Sequence, residues 1–228
     1  MTEKRVAAFF DFDNTLLADD SVRLGVRYLY DNRMISRTFI LGLLFRNFFY
    51  KRNLYSQQRM IAFALKYYRD RDLTPLVAGS EKFFNEMLKP RLSRRVLERL
   101  EWHRERGHVP VIISASLRYL LEPAAKGLSI PHLLCTDLEM GKEGRSTGRA
   151  AGMICAGVNK AKVAREFAAA NSVDLASSYA YSDHHSDAPL LELVGNPVVV
   201  GPNEPMRRIA RERGWPVISH GNATEESP

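Results

Sequence analysis

Four short apolar runs punctuate the chain, and each stops at a polar residue. Residues 6–10, VAAFF, lead into Asp11; 108–114, HVPVIIS, end at Ser114; 178–183, SYAYSD, end at Asp183; and 197–203, PVVVGPN, end at Gly201 and Asn203. Runs of this kind, apolar on successive residues, predict strands buried on both faces of a parallel sheet. Helical spacing fills the intervals at 94–106 (closed by Gly107), 117–127, 159–171 and 187–194. Strands alternating with helices predict an α/β fold with a doubly wound parallel sheet. In such a sheet ligands bind beyond the carboxyl ends of the strands, where the polar residues just named would gather.

Two segments break the alternation. Residues 18–90 contain no convincing strand. The stretches RLGVRYLYD, TFILGLLFRNFFY and QRMIAFALKYY carry apolar residues at helical spacing. This block falls after the first strand and before the second, which predicts a helical cap inserted over the site. The second break, 132–158, holds the turn GKEGRSTG between two plausible strands and predicts a hairpin or small flap. The organisation expected is a core of residues 1–17 and 91–220, a cap of 18–90, and a disordered polar tail, 221–228. The Asn222-Ala223-Thr224 sequon in that tail is read as chance.

Composition adds little beyond this. Of 228 residues 45% are apolar and 26% charged, ordinary for a globular protein, and the two cysteines, Cys135 and Cys155, form no disulfide framework. Reduced thiols and a start without a long apolar run lead us to expect a cytoplasmic protein. The net charge of +7 favours anionic partners. No zinc-finger spacing or RNA-binding signature accompanies it, so no nucleic-acid partner is expected. The basic residues are dense between Arg23 and Arg71, where a solvated helical face is the plain reading.

The chemistry begins with Asp11 and Asp13. Two carboxylates this close repel unless a cation or a proton compensates. With a phosphate monoester in the cleft, Asp11 can attack phosphorus and form an aspartyl-phosphate. Asp13 can protonate the leaving oxygen and later take a proton from the attacking water. The Ser114 hydroxyl and the backbone N–H groups after it, from Ala115 onward, can hold phosphoryl oxygens. Lys160 opens a helix and can offset the negative charge. Asp183 and Asp187, with Asp11, make a hard oxygen-rich site suited to Mg²⁺. Phosphoryl transfer needs mainly positioning and charge neutralisation, and this set supplies both.

These residues resemble the haloacid dehalogenase superfamily of phosphohydrolases. Its first motif, Asp-x-Asp-x-Thr after an apolar strand, is matched by DFDNT, Asp11 to Thr15. Its second is matched by VIIS, ending at Ser114; its third by Lys160 in GVNKAKV; its fourth by Asp183 and Asp187 in YSDHHSD. The resemblance covers roughly residues 5–218. It looks closest to the phosphoserine-phosphatase-like branch (subfamily IB), whose helical cap lies between the first two motifs. It implies a Rossmann-like core, a metal site drawn from Asp11, Asp13, Asp183 and Asp187, and a phosphoric monoester hydrolase acting on a small phosphorylated metabolite such as phosphoserine or histidinol phosphate. Asp20, with Asp19 beside it, and Arg59 fall roughly where that branch places groups for a substrate amine and carboxylate. Two departures stand out: Ser182-Asp183-His184 replaces the usual Gly-Asp-Ser or Gly-Asp-Gly, and Ala115-Ser116 follows the second-motif serine.

His184 and His185 read as turn residues or substrate contacts. TFILGLLFRNFFYKR, too short to span a bilayer, has two readings. It is a cap helix packed on its neighbours or on a second subunit, or it lies on an anionic membrane and the enzyme is a lipid phosphate phosphatase. A rival of another class is a phospho-accepting signalling module, which gathers similar residues around Mg²⁺ but is usually shorter and lacks a large insert.

Overall fold

The computed structural model describes residues 4–50, 52 and 54–221. The expected tail from residue 222 lies outside them. Six strands form one wholly parallel sheet: β1 (Ala7–Phe10), β2 (Val109–Leu117), β3 (His132–Thr136), β6 (Tyr179–Ser182), β7 (Asn196–Val200) and β8 (Val217–Ile218). Their order, β3-β2-β1-β6-β7-β8, is the doubly wound order of a Rossmann-like sheet. The chain winds outward from β1 in one direction and from β6 in the other. The switch point therefore lies between β1 and β6, where Phe10 is in register with Tyr181.

The apolar runs earn this position because both faces of the sheet are covered. Ala7, Phe9, Val109, Val111 and Ile113 face one core with Phe167, Leu190 and Met206. Ala8, Phe10 and Ile112 face the other with Leu100, Leu121 and Tyr181. The strand period of two sends successive side chains to opposite layers. The first layer is built by α7 (Val158–Ala170), α8 (Ala188–Leu191) and α9 (Glu204–Arg213), the second chiefly by α5 (Arg94–Glu105) and α6 (Arg118–Gly127).

Between β1 and α5 the chain is helical: α1 (Ser21–Asp31), α2 (Arg37–Tyr50), α3 (Gln57–Leu65) and α4 (Thr74–Phe83), followed by a π turn at Phe84–Leu88. The segments entering and leaving this block run side by side. Leu17 bridges Leu92, and Ala18 N–H donates to the Arg91 carbonyl at 2.8 Å. Leu24, Phe83, Phe84 and Leu88 pack into the main core, whereas Leu29, Ile35, Leu65, Tyr67 and Tyr68 form a separate cluster. The glycine-rich turn lies in a two-stranded antiparallel hairpin, β4 (Leu138–Met140) and β5 (Ser146–Ala150). That hairpin docks on the helical block: Asp70 N–H donates to the Ser146 carbonyl at 2.8 Å, and Ser146 N–H to the Arg71 carbonyl at 3.0 Å. Among the described residues no helix is long and apolar enough to cross a membrane.

Candidate active site

Asp11 follows β1 directly, and its N–H donates to the Tyr181 carbonyl at 2.9 Å, fixing it at the switch point. Its Oδ1 accepts from the Phe12 N–H at 2.7 Å and from Lys160 Nζ at 2.8 Å. Lys160, in the first turn of α7, also reaches Asp187 Oδ2 at 2.6 Å. One buried ammonium thus spans two carboxylates that lie 176 residues apart in the chain. Burial would push its pKa down, but Asp11 and Asp187 together hold it above the usual lysine range. Burial would likewise raise Asp187; Lys160 and a 2.8 Å hydrogen bond from Ser182 Oγ keep it below the usual carboxylate range instead.

Asp183 follows β6 and is buried. Burial first, then the neighbouring Asp11, pushes its pKa up to about 9, with Lys160 and a hydrogen bond from its own backbone opposing. Burial also raises Asp11, to about 7, with Lys160 opposing. Three carboxyls thus lie near one ammonium that pairs directly with only two of them, Asp11 and Asp187. Among the described residues no three acidic, imidazole or thiol groups already stand as a metal cluster. The donor set nevertheless fits a hard divalent cation, which takes one or two carboxylates and keeps several waters. Asp183 is the carboxyl with the least compensation and so the first candidate ligand.

Asp13 has partners of its own. Its Oδ1 accepts from Ser21 N–H at 2.6 Å, at the start of α1, and its Oδ2 from Ser116 Oγ at 2.8 Å. Ser116 Oγ and Ser21 Oγ lie 3.1 Å apart. Removal from water and the nearby Asp20 raise the Asp13 pKa, with these hydrogen bonds opposing. One side-chain oxygen is therefore held from the start of α1 and the other from β2.

Ser114 and Ser116 sit where the pairing of β2 with β3 slips out of register, between Ser114 and Leu117. Such an irregularity frees side chains from the ladder and re-aims them. Ser114 Oγ accepts from Ser116 N–H at 3.1 Å, and Ala115 between them is half-buried.

The other expected residues are more dispersed. Asp20 caps α1, accepting from Arg23 N–H at 2.8 Å, and is a charged neighbour of Asp13. Asp19 is paired with Arg23 and with Arg91. Arg59 is exposed on the first turn of α3, its N–H donating to Ser56 Oγ at 3.3 Å. His184 is half-buried; its Nδ1 accepts from Ser186 N–H at 3.2 Å, and burial lowers its pKa to about 4, so the ring is neutral. The lost glycine of the fourth motif leaves no strain, since His184 is extended (φ −110°) and Ser182 adopts no positive φ. Sequence reasoning gave no role to Ser21, Ser116 and Ser182, which orient the acids. A methyl placed on Gly157 would stand 3.8 Å from Gln58 Nε2, which sets the first turn of α3 over the start of α7.

A family model described as haloacid dehalogenase-like hydrolase matches residues 8–192. The phosphoserine phosphatase SerB1 of Mycobacterium tuberculosis is 31% identical over 215 residues, 92% of this chain and 70% of that one. A histidinol-phosphatase of Neisseria meningitidis is 28% identical over 223 residues, covering 93% of this chain and 97% of its own. A crystal structure of a protein of unknown function from Bordetella pertussis superposes with a TM-score of 0.85 at 28% identity, covering 96% of this chain and all of that one. The doubly wound sheet, the carboxyl cluster at its switch point and a match across most of the chain lead to one conclusion: the chain belongs to the haloacid dehalogenase-like hydrolase family.

Proposed function

We propose that this phosphoric monoester hydrolase is a Mg²⁺-dependent phosphatase working through a phosphorylated Asp11, on a small phosphorylated metabolite of the phosphoserine or histidinol phosphate kind. The observation that carries the reading is Lys160, buried and shared between Asp11 and Asp187 at 2.8 and 2.6 Å beside an under-compensated Asp183. Charge of this kind suits phosphoryl transfer, which proceeds chiefly by positioning and neutralisation.

The residues divide the work as follows. Lys160 and the Phe12 N–H hold one oxygen of the Asp11 carboxylate and so fix its direction. An Asp11 oxygen attacks phosphorus as the ester P–O bond breaks. Asp13, whose pKa burial raises, protonates the departing oxygen. Water then attacks the phosphorus, Asp13 takes its proton, and the Asp11–phosphorus bond breaks to release phosphate. Ser114, its oxygen already accepting from Ser116 N–H, has its own proton to give to a phosphoryl oxygen. Mg²⁺, held by Asp11 and Asp183 with Asp187 acting through water, would neutralise charge on the phosphoryl group. Similarity to a phosphoserine phosphatase and a histidinol-phosphatase supports a small amine-bearing substrate, with Asp20 as the group for its ammonium.

Purified Asp11→Asn is expected to lose phosphate release by about 10³-fold or more, and chelation of divalent cations to stop the wild type reversibly. Full activity in Asp11→Asn would remove the mechanism.

A further inference from the structure

Helix α2 is apolar around its circumference, and the fold uses only one side of it. Phe39 stacks on Phe63 of α3 with ring centres 5.3 Å apart, and Arg46 lies 3.6 Å over the same ring. The opposite side carries Leu41, Leu44, Phe45 and Phe48, whose i, i+3, i+4, i+7 spacing makes one continuous stripe. They are 64%, 59%, 64% and 50% exposed, and Leu54 just beyond the helix is 69% exposed. Single exposed apolar residues are ordinary; a contiguous stripe marks a docking surface.

Charge indicates what docks. Residues 32–69 contain eight lysines and arginines and no aspartate or glutamate. Arg37 is exposed in the first turn of α2, and the exposed Arg52 beyond its end lies 3.5 Å over the Phe48 ring. A second copy would bring two such positive fields together with no acid of this segment to pair them. An anionic lipid surface offers both negative charge and an apolar layer. At about 1.5 Å per residue the helix is far too short for a hydrocarbon core about 30 Å thick, so it would lie in the interface plane. We propose that α2 docks this protein on an anionic phospholipid bilayer. Leu41, Leu44, Phe45 and Phe48 enter the acyl boundary, and Arg37 and Arg52 meet lipid phosphates. The docking holds whichever phosphate ester the active site takes.

The test is co-sedimentation of the full chain with vesicles of phosphatidylcholine, with and without phosphatidylglycerol. The protein should sediment with the anionic vesicles, bind neutral ones at least about tenfold less, and be released by added salt. The double variant Leu44→Asp, Phe45→Asp should lose that binding while keeping its circular dichroism spectrum and its hydrolysis of a water-soluble phosphate ester. Those two readouts separate lost docking from misfolding and from failure of the catalytic reading. Three results would overturn the proposal: no sedimentation with anionic vesicles, equal binding to neutral ones, or a solution dimer that the double variant converts to monomer.

Discussion

Ser116 shows what a single hydroxyl does at this site. It donates to Asp13 Oδ2 at 2.8 Å, stabilising the charged form of a carboxyl whose pKa burial raises. Ser116→Ala removes that donor, so the Asp13 pKa should rise further. The basic limb of the pH–kcat profile should then move to higher pH, and kcat should fall by about tenfold as the acid becomes a weaker donor. An unmoved limb would mean that Asp13 is not the titrating acid. Asp11 and Asp183 could be named from sequence because each follows a strand, and Lys160 because it opens a helix; the strand expected to end at Ser114 runs on to Leu117, so Ser114 lies inside β2 and only its motif marks it. The groups that support the acids could not be named. Ser21 reaches Asp13 from eight residues away, Ser116 from 103, and neither spacing belongs to a motif. Ser182 offered a faint signal in the position where glycine is usual, and its hydroxyl now anchors Asp187.

Among the elements, the hairpin of β4 and β5 ties the cap to the core. Its closest approach is at Gly148, with φ +72°, where a Cβ would stand 2.8 Å from Arg69 Cβ and 3.0 Å from Arg69 Cα. Gly144, on the same hairpin with φ +69°, has open space around it. Gly148→Ala and Gly144→Ala therefore carry the same backbone strain, and only the first pushes on the cap. Gly148→Ala should raise KM several-fold and cost about 1–3 kcal/mol of stability, against at most about 1 for Gly144→Ala with KM unchanged. Equal effects in steady-state kinetics and thermal unfolding would mean the seam does not position the cap. The hairpin was legible in the glycine-rich turn, but the run HLLCTDLEM hid a division: it supplies edge strand β3 to the main sheet and then β4 to the hairpin. Periodicity cannot show where a chain leaves one sheet for another. Helix 187–194 was also shorter than its pattern, since α8 ends at Leu191 and β7 starts at Asn196.

For the whole molecule, the carboxyl cluster is expected to make folding depend on pH and, on the proposed function, on Mg²⁺. Burial and the nearby Asp11 push the Asp183 pKa from the ordinary carboxylate value of 3.8 up to about 9, so the native state favours a proton that the unfolded chain releases. Its contribution is complete below the lower value and is lost as pH rises through the upper one, by at most about 1.4 kcal/mol per pH unit. Asp183→Asn should therefore stabilise the cation-free protein increasingly between those limits, and Mg²⁺ should no longer raise its Tm; thermal scans across pH check both. The most direct test of the account is to quench the enzyme in acid during turnover and map the phosphoryl group by peptide mass spectrometry. A hydroxylamine-sensitive adduct is expected on Asp11, accumulating when Asp13 is replaced by Asn with a substrate whose leaving group needs no proton. An adduct on another residue, or none while phosphate is still released, would contradict the account.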